Sequence, residues 1–184
     1  MRGAVHRRLP EDLVMTRRPP VALRPLLPAD VPVCAQIFRD AVETLTGDDY
    51  DPAQQEAWAS SADDLDAFGA RLTKALAIVA TDEGEVVGFA TLAGNETLDM
   101  LYVAPDMAGR GVATTLVDAL EKLAGARGTK VLTVEASDTA LPFFMDRGYA
   151  PQQRNTVHRA GQWLANTTMT KAIEPPAGGG GKPS

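Results

Sequence analysis

The amino-acid sequence predicts a mixed α+β fold, with one central sheet of about six to seven strands flanked by helices. Two observations lead to this prediction. The hydrophobic pattern has a helical period over much of the chain before Ala75 and then changes to the alternation of strands. A long amphipathic helix later separates three strands from a closing group of strand, helix and two strands. Helices and strands therefore come in blocks, which is typical of α+β proteins.

Length and composition indicate one domain. A chain of 184 residues with 45% hydrophobic residues can bury a sizeable core. Residues 1–20 are rich in Arg and Pro, and residues 174–184 are rich in Gly and Pro, so both are predicted to be disordered tails. The folded domain is expected at 21–173, and Met15 is an alternative start.

The first half of the domain is predicted to hold one strand and up to three helices. Residues 21–27 form a short strand, and Pro28 opens a helix whose apolar residues recur at helical spacing up to Leu45. Two shorter helices follow, at 51–58 and 62–74.

Strands dominate the second half. The turn residues 82–84 separate two β-rich runs and predict a hairpin. The helix at 109–124 is strongly amphipathic. The remaining predicted elements are the strands 76–81, 85–93, 97–103 and 130–136, a short helix at 139–147, and the strands 149–158 and 162–173 joined by a turn at 159–161.

Charge and hydropathy exclude two classes of partner. The formal net charge of -6 argues against a nucleic-acid binder, which normally presents a basic face to phosphates. No run of about 18 apolar residues exists, and the basic N-terminus lacks the apolar segment of a signal peptide. The only cysteine, Cys34, lies on the apolar stripe of the helix 28–45 and is expected in the core. These features predict a cytoplasmic protein without nucleic-acid or membrane partners, either a monomer or a homodimer.

A strand, a loop and a helix around Gly109 carry the clearest chemical signal. The first amides of a helix have no partners within it and lie at the positive end of its dipole, so they attract anions. Glycines at 109 and 111 leave room for an anion to approach. A purely structural glycine pair at a helix start is an equally good interpretation. The anion-binding residues of this segment are predicted to be Gly109, Arg110, Gly111, Val112, Ala113 and Thr114.

Four segments resemble motifs or stretches of the GNAT acetyltransferase superfamily. The run from Ala108 to Ala113 is similar to the family's pyrophosphate motif, Gln/Arg-x-x-Gly-x-Gly/Ala, with Ala108 as the departure. Leu-Tyr-Val at 101–103 resembles the strand end whose backbone pairs with the pantetheine arm of CoA. Residues 137–149 resemble the motif Asn-x-x-Ala-x-x-Phe-Tyr-x-x-x-Gly-Phe, and residues 50–58 resemble a stretch of small bacterial members. The order and spacing of the first three segments agree with the family, and the whole resemblance covers about 21–173.

The resemblance implies a small N-acetyltransferase that uses acetyl-CoA as co-substrate and needs no metal. It would move the acetyl group to a primary amine of a small molecule or peptide by direct transfer in a ternary complex. Beyond the helix start, the resemblance implies that the residues in contact with CoA are Leu101, Tyr102, Val103, Ser137 and Phe144.

Two departures from the family motifs concern the general acid. Ser137 stands where many members have Asn, and Phe144 stands where many have the Tyr that protonates the leaving thiolate. Tyr149 is a candidate acid if its hydroxyl reaches the sulfur. The alternatives are a proton from solvent and a purely structural role for Tyr149 in the core.

A base is useful because the amine must be neutral to attack. An alkylamine with a pKa near 10.4 costs roughly 4 to 5 kcal/mol to deprotonate at pH 7. Strand alternation places Asp99 on one face with Thr97, Leu101 and Val103, and the family often has its carboxylate base on this strand and face. The alternatives for Asp99 are an orienting role and a salt bridge at the strand edge. Glu135 is a second candidate, or a solvated strand-end charge.

Tyr50 and Trp58 are the candidate acceptor-binding residues. They lie eight residues apart among four carboxylates, a combination that suits a cationic amine. Two helices packing an aromatic pair under an acidic rim is an alternative. His6 and His158 have no second ligand at metal spacing, so no metal site is expected.

Two other functions compete with acetyl transfer. A dinucleotide-binding enzyme is opposed by Thr114 in place of a third glycine and by hairpins upstream, where a Rossmann unit would have helices. A catalytically weak acetyl-CoA-binding or sensor module is the stronger rival, because Phe144 lacks the hydroxyl of the usual general acid.

Overall fold

A single mixed sheet runs through residues 21–175, the part of the chain that this computed structural model describes. Its seven strands agree with the predicted α+β fold class. The strands are β1 (Ala22–Pro25), β2 (Leu76–Asp82), β3 (Glu85–Ala93), β4 (Thr97–Val103), β5 (Val131–Ser137), β6 (Ala150–Arg159) and β7 (Gln162–Ala172).

The strand order is β1-β2-β3-β4-β5-β7-β6. The first four strands pair antiparallel in chain order, and β7 pairs antiparallel with both β5 and β6. Only β4 and β5 are parallel neighbours, because a helix crosses over between them.

Five helices accompany the sheet in the described residues: α1 (Val31–Leu45), α2 (Pro52–Ala59), α3 (Leu65–Lys74), α4 (Val112–Ala126) and α5 (Leu141–Asp146). All five begin later than predicted, and α1, α3 and α4 do so by three residues. Before α1 lies a 3-10 turn at 28–30. The side chain of Asp64 accepts from two amides at the start of α3, so this helix begins after its cap and not at residue 62. Gly111 has a left-handed φ of 82°, so α4 begins at Val112 and not at 109.

Two hydrophobic clusters pack against opposite faces of the sheet. On one face, Leu116 and Leu120 of α4 pack with sheet residues such as Leu132. On the other face, Phe38 of α1 and Phe68 of α3 pack on the sheet. Full burial of each such side chain contributes about 1.5–3 kcal/mol. Cys34 belongs to this second cluster and is buried, as predicted.

A bulge in β4 changes which side chains share a face. Leu98 lies opposite Leu92 and Met100 lies opposite Thr91, so Asp99 has no partner across the strand pair. Leu98 consequently packs on the α4 side and Met100 on the α1 and α3 side, although residues two positions apart in a regular strand share a face. The expected strict alternation, with Asp99 on the face of Leu101 and Val103, is therefore wrong.

The other predictions about the chain concern its tails, its domain bounds, its cellular location and its oligomeric state. The predicted tail 1–20, with Met15 and His6, lies outside the described residues, as does 176–184 of the second tail. Within 21–175, no helix combines the length and apolar character needed to cross a bilayer. The domain bounds 21–173, the cytoplasmic location and the oligomeric state stay predictions.

Candidate active site

The sheet is split between β4 and β5. These two strands pair at only two positions, Thr97 with Thr133 and Leu98 with Val134. Beyond them, β4 continues to Val103 and β5 to Ser137 with no pairing between the strands. Backbone groups on the facing edges therefore lack a ladder partner, and an extended ligand can bind to such an edge as an added strand does.

A cavity of about 640 Å³, here called the larger cavity, lies along this split. It brings together ten of the eleven predicted CoA-binding residues. The exception is Arg110, whose guanidinium contacts the sulfur of Met107 at 3.8 Å. The predicted residues that line it are Leu101, Tyr102, Val103, Gly109, Gly111, Val112, Ala113, Thr114, Ser137 and Phe144.

The glycines before α4 shape the end of the larger cavity. Gly109 and Gly111 have φ values of 73° and 82°, in the left-handed region that favours glycine. A Cβ at either position would meet no atom within 4 Å, so backbone conformation and not space demands glycine there. The first hydrogen bond of α4 runs from the amide of Thr115 to the carbonyl of Gly111. The amides at 112–114 therefore have no acceptor within the helix, and its first turn has no acidic residue to repel an anion.

A second cavity of about 160 Å³, here called the smaller cavity, adjoins the larger one. Its walls come from α2, α3, β4, β5 and the β6–β7 hairpin. The two cavities meet at the split in the sheet, because they share the lining residues Trp58, Leu98, Asp99, Tyr102, Glu135 and Ser137.

Asp99 forms an ion pair with Arg71 of α3. Its Oδ2 accepts from Nε at 3.0 Å and its Oδ1 accepts from Nη2 at 2.9 Å. The bulge makes this contact possible, since it turns Asp99 away from the α4 side of β4. Asp99 borders both cavities, but both of its oxygens are engaged. Its role as the base stays a prediction.

Glu135 is the free carboxylate of the site. It borders both cavities, and no side chain of 21–175 forms an ion pair or hydrogen bond with it. Exposure along β5 alternates, with Leu132, Val134 and Ala136 buried, so Glu135 lies on the other face of the strand. Its carboxylate is available to an incoming amine.

Tyr149 lies away from the two cavities. Its hydroxyl donates to Oε1 of Glu121 at 3.0 Å, and Oε1 also accepts from Lys171 at 3.1 Å. Burial raises the pKa of Tyr149, and the neighbouring Glu121 carboxylate adds to this. This position does not favour a role as general acid.

The hydroxyl groups that do border both cavities belong to Ser137 and Tyr102. The Oγ of Ser137 accepts from the amide of Ala140 at 3.1 Å. Burial raises the pKa of Tyr102 to about 12, against the lowering influence of Trp58 and Arg71. Phe144 is 2% exposed and lines the larger cavity. Its side chain has no ionisable proton and cannot act as a general acid.

Tyr50 and Trp58 form an aromatic pair, with ring centroids 5.3 Å apart. The Tyr50 hydroxyl donates to the carbonyl of Ala165 at 2.7 Å and accepts from the amide of Asp138 at 2.9 Å. Tyr50 thus joins the segment before α2 to the end of β5 and to β7, and it lines the smaller cavity. Trp58 lines both cavities.

The carboxylates near this pair in sequence do not border either cavity. Asp51 caps α2 by accepting from the amide of Gln54 at 2.8 Å, and Asp49 accepts from the hydroxyl of Thr139 at 2.8 Å. Three polar residues that sequence reasoning missed line the smaller cavity instead: Arg71, Arg159 and Asn166. They come from α3 and from the β6–β7 hairpin, and no motif marks them. Within 21–175 no group of His, Cys, Asp and Glu could hold a metal ion.

Comparison with known proteins gives the class of this fold and site. The family model described as the acetyltransferase (GNAT) domain matches residues 46–173. The chain therefore belongs to the GNAT acetyltransferase family and is an acetyl-CoA-dependent acyltransferase, as its motifs predict.

Individual relatives agree with this assignment. The chain is 33% identical over 149 residues to the uncharacterized N-acetyltransferase YafP of Escherichia coli (strain K12), across 81% of this chain and 94% of YafP. The crystal structure of a GCN5-related N-acetyltransferase from Rhodopseudomonas palustris, also named aminotransferase, class-II, has 59% identity and a TM-score of 0.83. It covers 85% of this chain and 98% of its own. PaiA N-acetyltransferase of Thermoplasma acidophilum, in complex with coenzyme A, has 16% identity and a TM-score of 0.68 over 83% of this chain and 98% of its own, which shows the shared fold alone.

Proposed function

We propose that this protein moves the acetyl group of acetyl-CoA directly to a primary amine while both substrates are bound. The observation that supports this most strongly is the meeting of two cavities at the split between β4 and β5. The larger cavity extends along the split and reaches the free amides at the start of α4, which suits CoA. The smaller one has charged and aromatic walls suited to a polar acceptor.

In this proposal, acetyl-CoA occupies the larger cavity. Its pyrophosphate binds the free amides at 112–114, where the dipole of α4 favours negative charge. Its pantetheine arm extends along the unpaired edge of β4 at 101–103, as an added strand would. The thioester then lies where the cavities meet, between Asp99 and Glu135.

The acceptor enters from the smaller cavity, and Glu135 takes its proton directly or through water. The neutral nitrogen then forms a bond to the thioester carbonyl carbon, the nitrogen releases its second proton to solvent, and the bond from that carbon to sulfur breaks. The thiolate leaves and takes a proton from solvent, since Phe144 has none to give. We assign the base to Glu135 because it is unpaired, whereas Arg71 occupies both oxygens of Asp99. Asp99 stays the alternative base.

Direct transfer also agrees with the position of Cys34, the cysteine of the described residues. A covalent acetyl-enzyme would need a reactive side chain in reach of the thioester. Cys34 is fully buried in the α1 core, and burial raises the pKa of its thiol to about 12. It is neither in the larger cavity nor ionised at neutral pH.

Phe144 supports a second candidate function, a catalytically weak acetyl-CoA sensor. A screen of primary amines, with release of the CoA thiol as the readout, separates the two. Direct transfer predicts amine-dependent thiol release well above the rate with acetyl-CoA alone. Tight acetyl-CoA binding without amine-dependent release in any class of amine would favour the sensor.

A further inference from the structure

The smaller cavity contains a guanidinium group without a partner. Eight arginines lie in 21–175, and Arg159 is the one whose guanidinium makes no hydrogen bond or ion pair with another described residue. Arg110 contacts a methionine sulfur. The other six each bind a carboxylate or amide side chain: Arg24, Arg39, Arg71, Arg127, Arg147 and Arg154.

The hairpin that carries Arg159 fixes the position of its backbone, and its side chain is exposed to solvent. Arg159 is the last residue of β6 and pairs with Gln162 across the turn. The Nε2 of Gln54 in α2 donates to the carbonyl of Trp163 at 2.8 Å, which ties the hairpin to the wall of the cavity. The positive charge of Arg159 also acts on the hydroxyl of Tyr102 from across the cavity, where burial is the main influence on its pKa.

Asn166 adds a neutral donor to the same wall. Its Oδ1 accepts from Nδ2 of Asn155 at 3.0 Å, which orients the amide. Its own Nδ2 makes no hydrogen bond within 21–175, and the residue lines the smaller cavity. A guanidinium and an amide NH₂ without acceptors are the groups that bind an oxyanion.

Four charged residues line the smaller cavity within 21–175. Asp99 and Arg71 neutralise each other. This leaves Glu135 as an unpaired negative group and Arg159 as an unpaired positive group in a space of about 160 Å³. A ligand that complements both carries an ammonium and an anion within a short distance.

We infer that the acceptor amine carries an anionic group, a carboxylate or a phosphate, which Arg159 binds with help from Asn166. The acceptor is then a small zwitterion, or a larger molecule with such a head, and its amine lies toward Glu135 and the thioester. This inference rests on the proposed function, because it takes the smaller cavity as the acceptor site.

The test compares amines with and without the anion. Calorimetry on the full-length, CoA-saturated protein at pH 7 measures the affinity for glycine, β-alanine and γ-aminobutyrate, each against its amide. Phosphoethanolamine against ethanolamine distinguishes phosphate from carboxylate. At least one anionic amine is expected to bind about 10-fold or more tightly than its neutral counterpart.

Two variants of Arg159 show whether this preference comes from its guanidinium. Arg159→Gln should reduce the affinity for the anionic amine to that of its neutral partner, and Arg159→Lys should keep part of the preference. Arg127→Gln is the matched control, because it makes the same charge change at the far end of α4, where the guanidinium binds Asn95. It should leave the preference intact, and unchanged CoA affinity in all three variants shows that they fold.

Equal binding of every anionic amine and its neutral partner would overturn the inference. So would an Arg159→Gln variant that weakens both members of a pair alike, because the arginine would then act on the shape of the cavity and not on an anion. Neither result depends on turnover. The proposed function fails on a different measurement, the absence of thiol release with any amine.

Discussion

At the scale of single residues, pairing distinguishes the two carboxylates of the site. Asp99 and Glu135 border the same two cavities, but only Asp99 has a guanidinium on both oxygens. A carboxylate whose oxygens already accept from arginine has fewer lone pairs to offer an amine. Sequence reasoning ranked Asp99 first from strand alternation, which the bulge in β4 interrupts.

The first prediction concerns Glu135→Gln, which keeps the shape of the side chain and removes the base. Turnover at pH 7 should fall by about 100- to 10,000-fold, the usual effect of losing a general base. Acetyl-CoA affinity should stay unchanged, because Glu135 does not contact the phosphates in the proposed arrangement. The loss should shrink as the pH approaches the pKa of the amine, where the neutral form no longer needs a base. Rates measured from pH 7 to 10 by thiol release check this.

Two further variants complete that experiment. Glu83→Gln, in the exposed turn between β2 and β3, is the control for the charge change and should keep full activity. Asp99→Asn should lose less than Glu135→Gln. If Asp99→Asn shows the larger loss together with the recovery at high pH, the base is Asp99 and the assignment to Glu135 is wrong.

The second prediction concerns Tyr149→Phe. The variant removes a hydrogen bond to Glu121 but no group that borders a cavity, so turnover should change less than threefold. The free energy of unfolding should fall by about 1 kcal/mol, because one buried hydrogen bond is lost. Urea denaturation and thiol release measure the two effects. A loss of turnover of about 100-fold without loss of stability would instead identify Tyr149 as the general acid.

The Tyr149→Phe variant should also change how the free energy of unfolding depends on pH. Burial raises the pKa of Tyr149, so above about pH 10 the unfolded chain releases this proton before the folded protein does. The stabilisation is complete below the unfolded pKa and is lost as pH rises past it, by up to about 1.4 kcal/mol per pH unit. Wild-type stability should therefore fall more steeply than that of Tyr149→Phe above pH 10. Equal slopes would contradict the burial of this hydroxyl.

At the scale of elements, the sequence predicted the existence of α4 correctly and placed its first residue at 109, three positions before the observed start at Val112. The Gly109 and Gly111 pattern correctly indicated that a helix begins next to these residues, and its role in binding an anion stays a prediction. The sequence suggested that the glycines leave room for an anion, whereas the structure shows open space at both Cβ positions and a positive φ at each. Backbone conformation is therefore the reason for glycine there.

The third prediction uses this conformation. Gly111→Gln and Gly111→Glu impose the same strain at φ 82° and differ only in charge. Calorimetry should show that Gly111→Glu binds acetyl-CoA at least about 10-fold more weakly than Gly111→Gln, because its carboxylate lies at the free amides of α4 and repels the phosphates. Equal affinities would mean that the phosphates bind elsewhere.

Local signals explain which elements the sequence could predict. The starts of the first two helices and the β2–β3 hairpin were predicted close to their observed positions. They depend on proline at 28 and 52 and on the turn residues at 82–84, which determine the conformation of only a few neighbouring residues. The bulge at Asp99 depends on how β3 pairs with β4, and no residue near it marks an extra position. The pairing of Asp99 with Arg71, 28 residues earlier, depends on the packing of α3 and leaves no local pattern.

At the scale of the whole molecule, the site exists because the sheet is split between β4 and β5 and two cavities meet at that split. The end of β4 and the start of α4, which both line the larger cavity, are adjacent in sequence, so their motif could be recognised. The smaller cavity combines Trp58, Arg71, Glu135 and Arg159, which are spread over more than half of the chain. Only the tertiary structure brings these residues together, and the proposed function places the acceptor in this cavity.

The fourth prediction is the kinetic order of the reaction, which tests most directly whether the two cavities act as one site. Initial rates of thiol release are measured while acetyl-CoA and the best amine of the screen are both varied. Transfer across the split predicts that double-reciprocal plots intersect, because both substrates must be bound before either product leaves. Parallel lines, together with an acetylated enzyme isolated in the absence of amine, would show a covalent intermediate and contradict direct transfer.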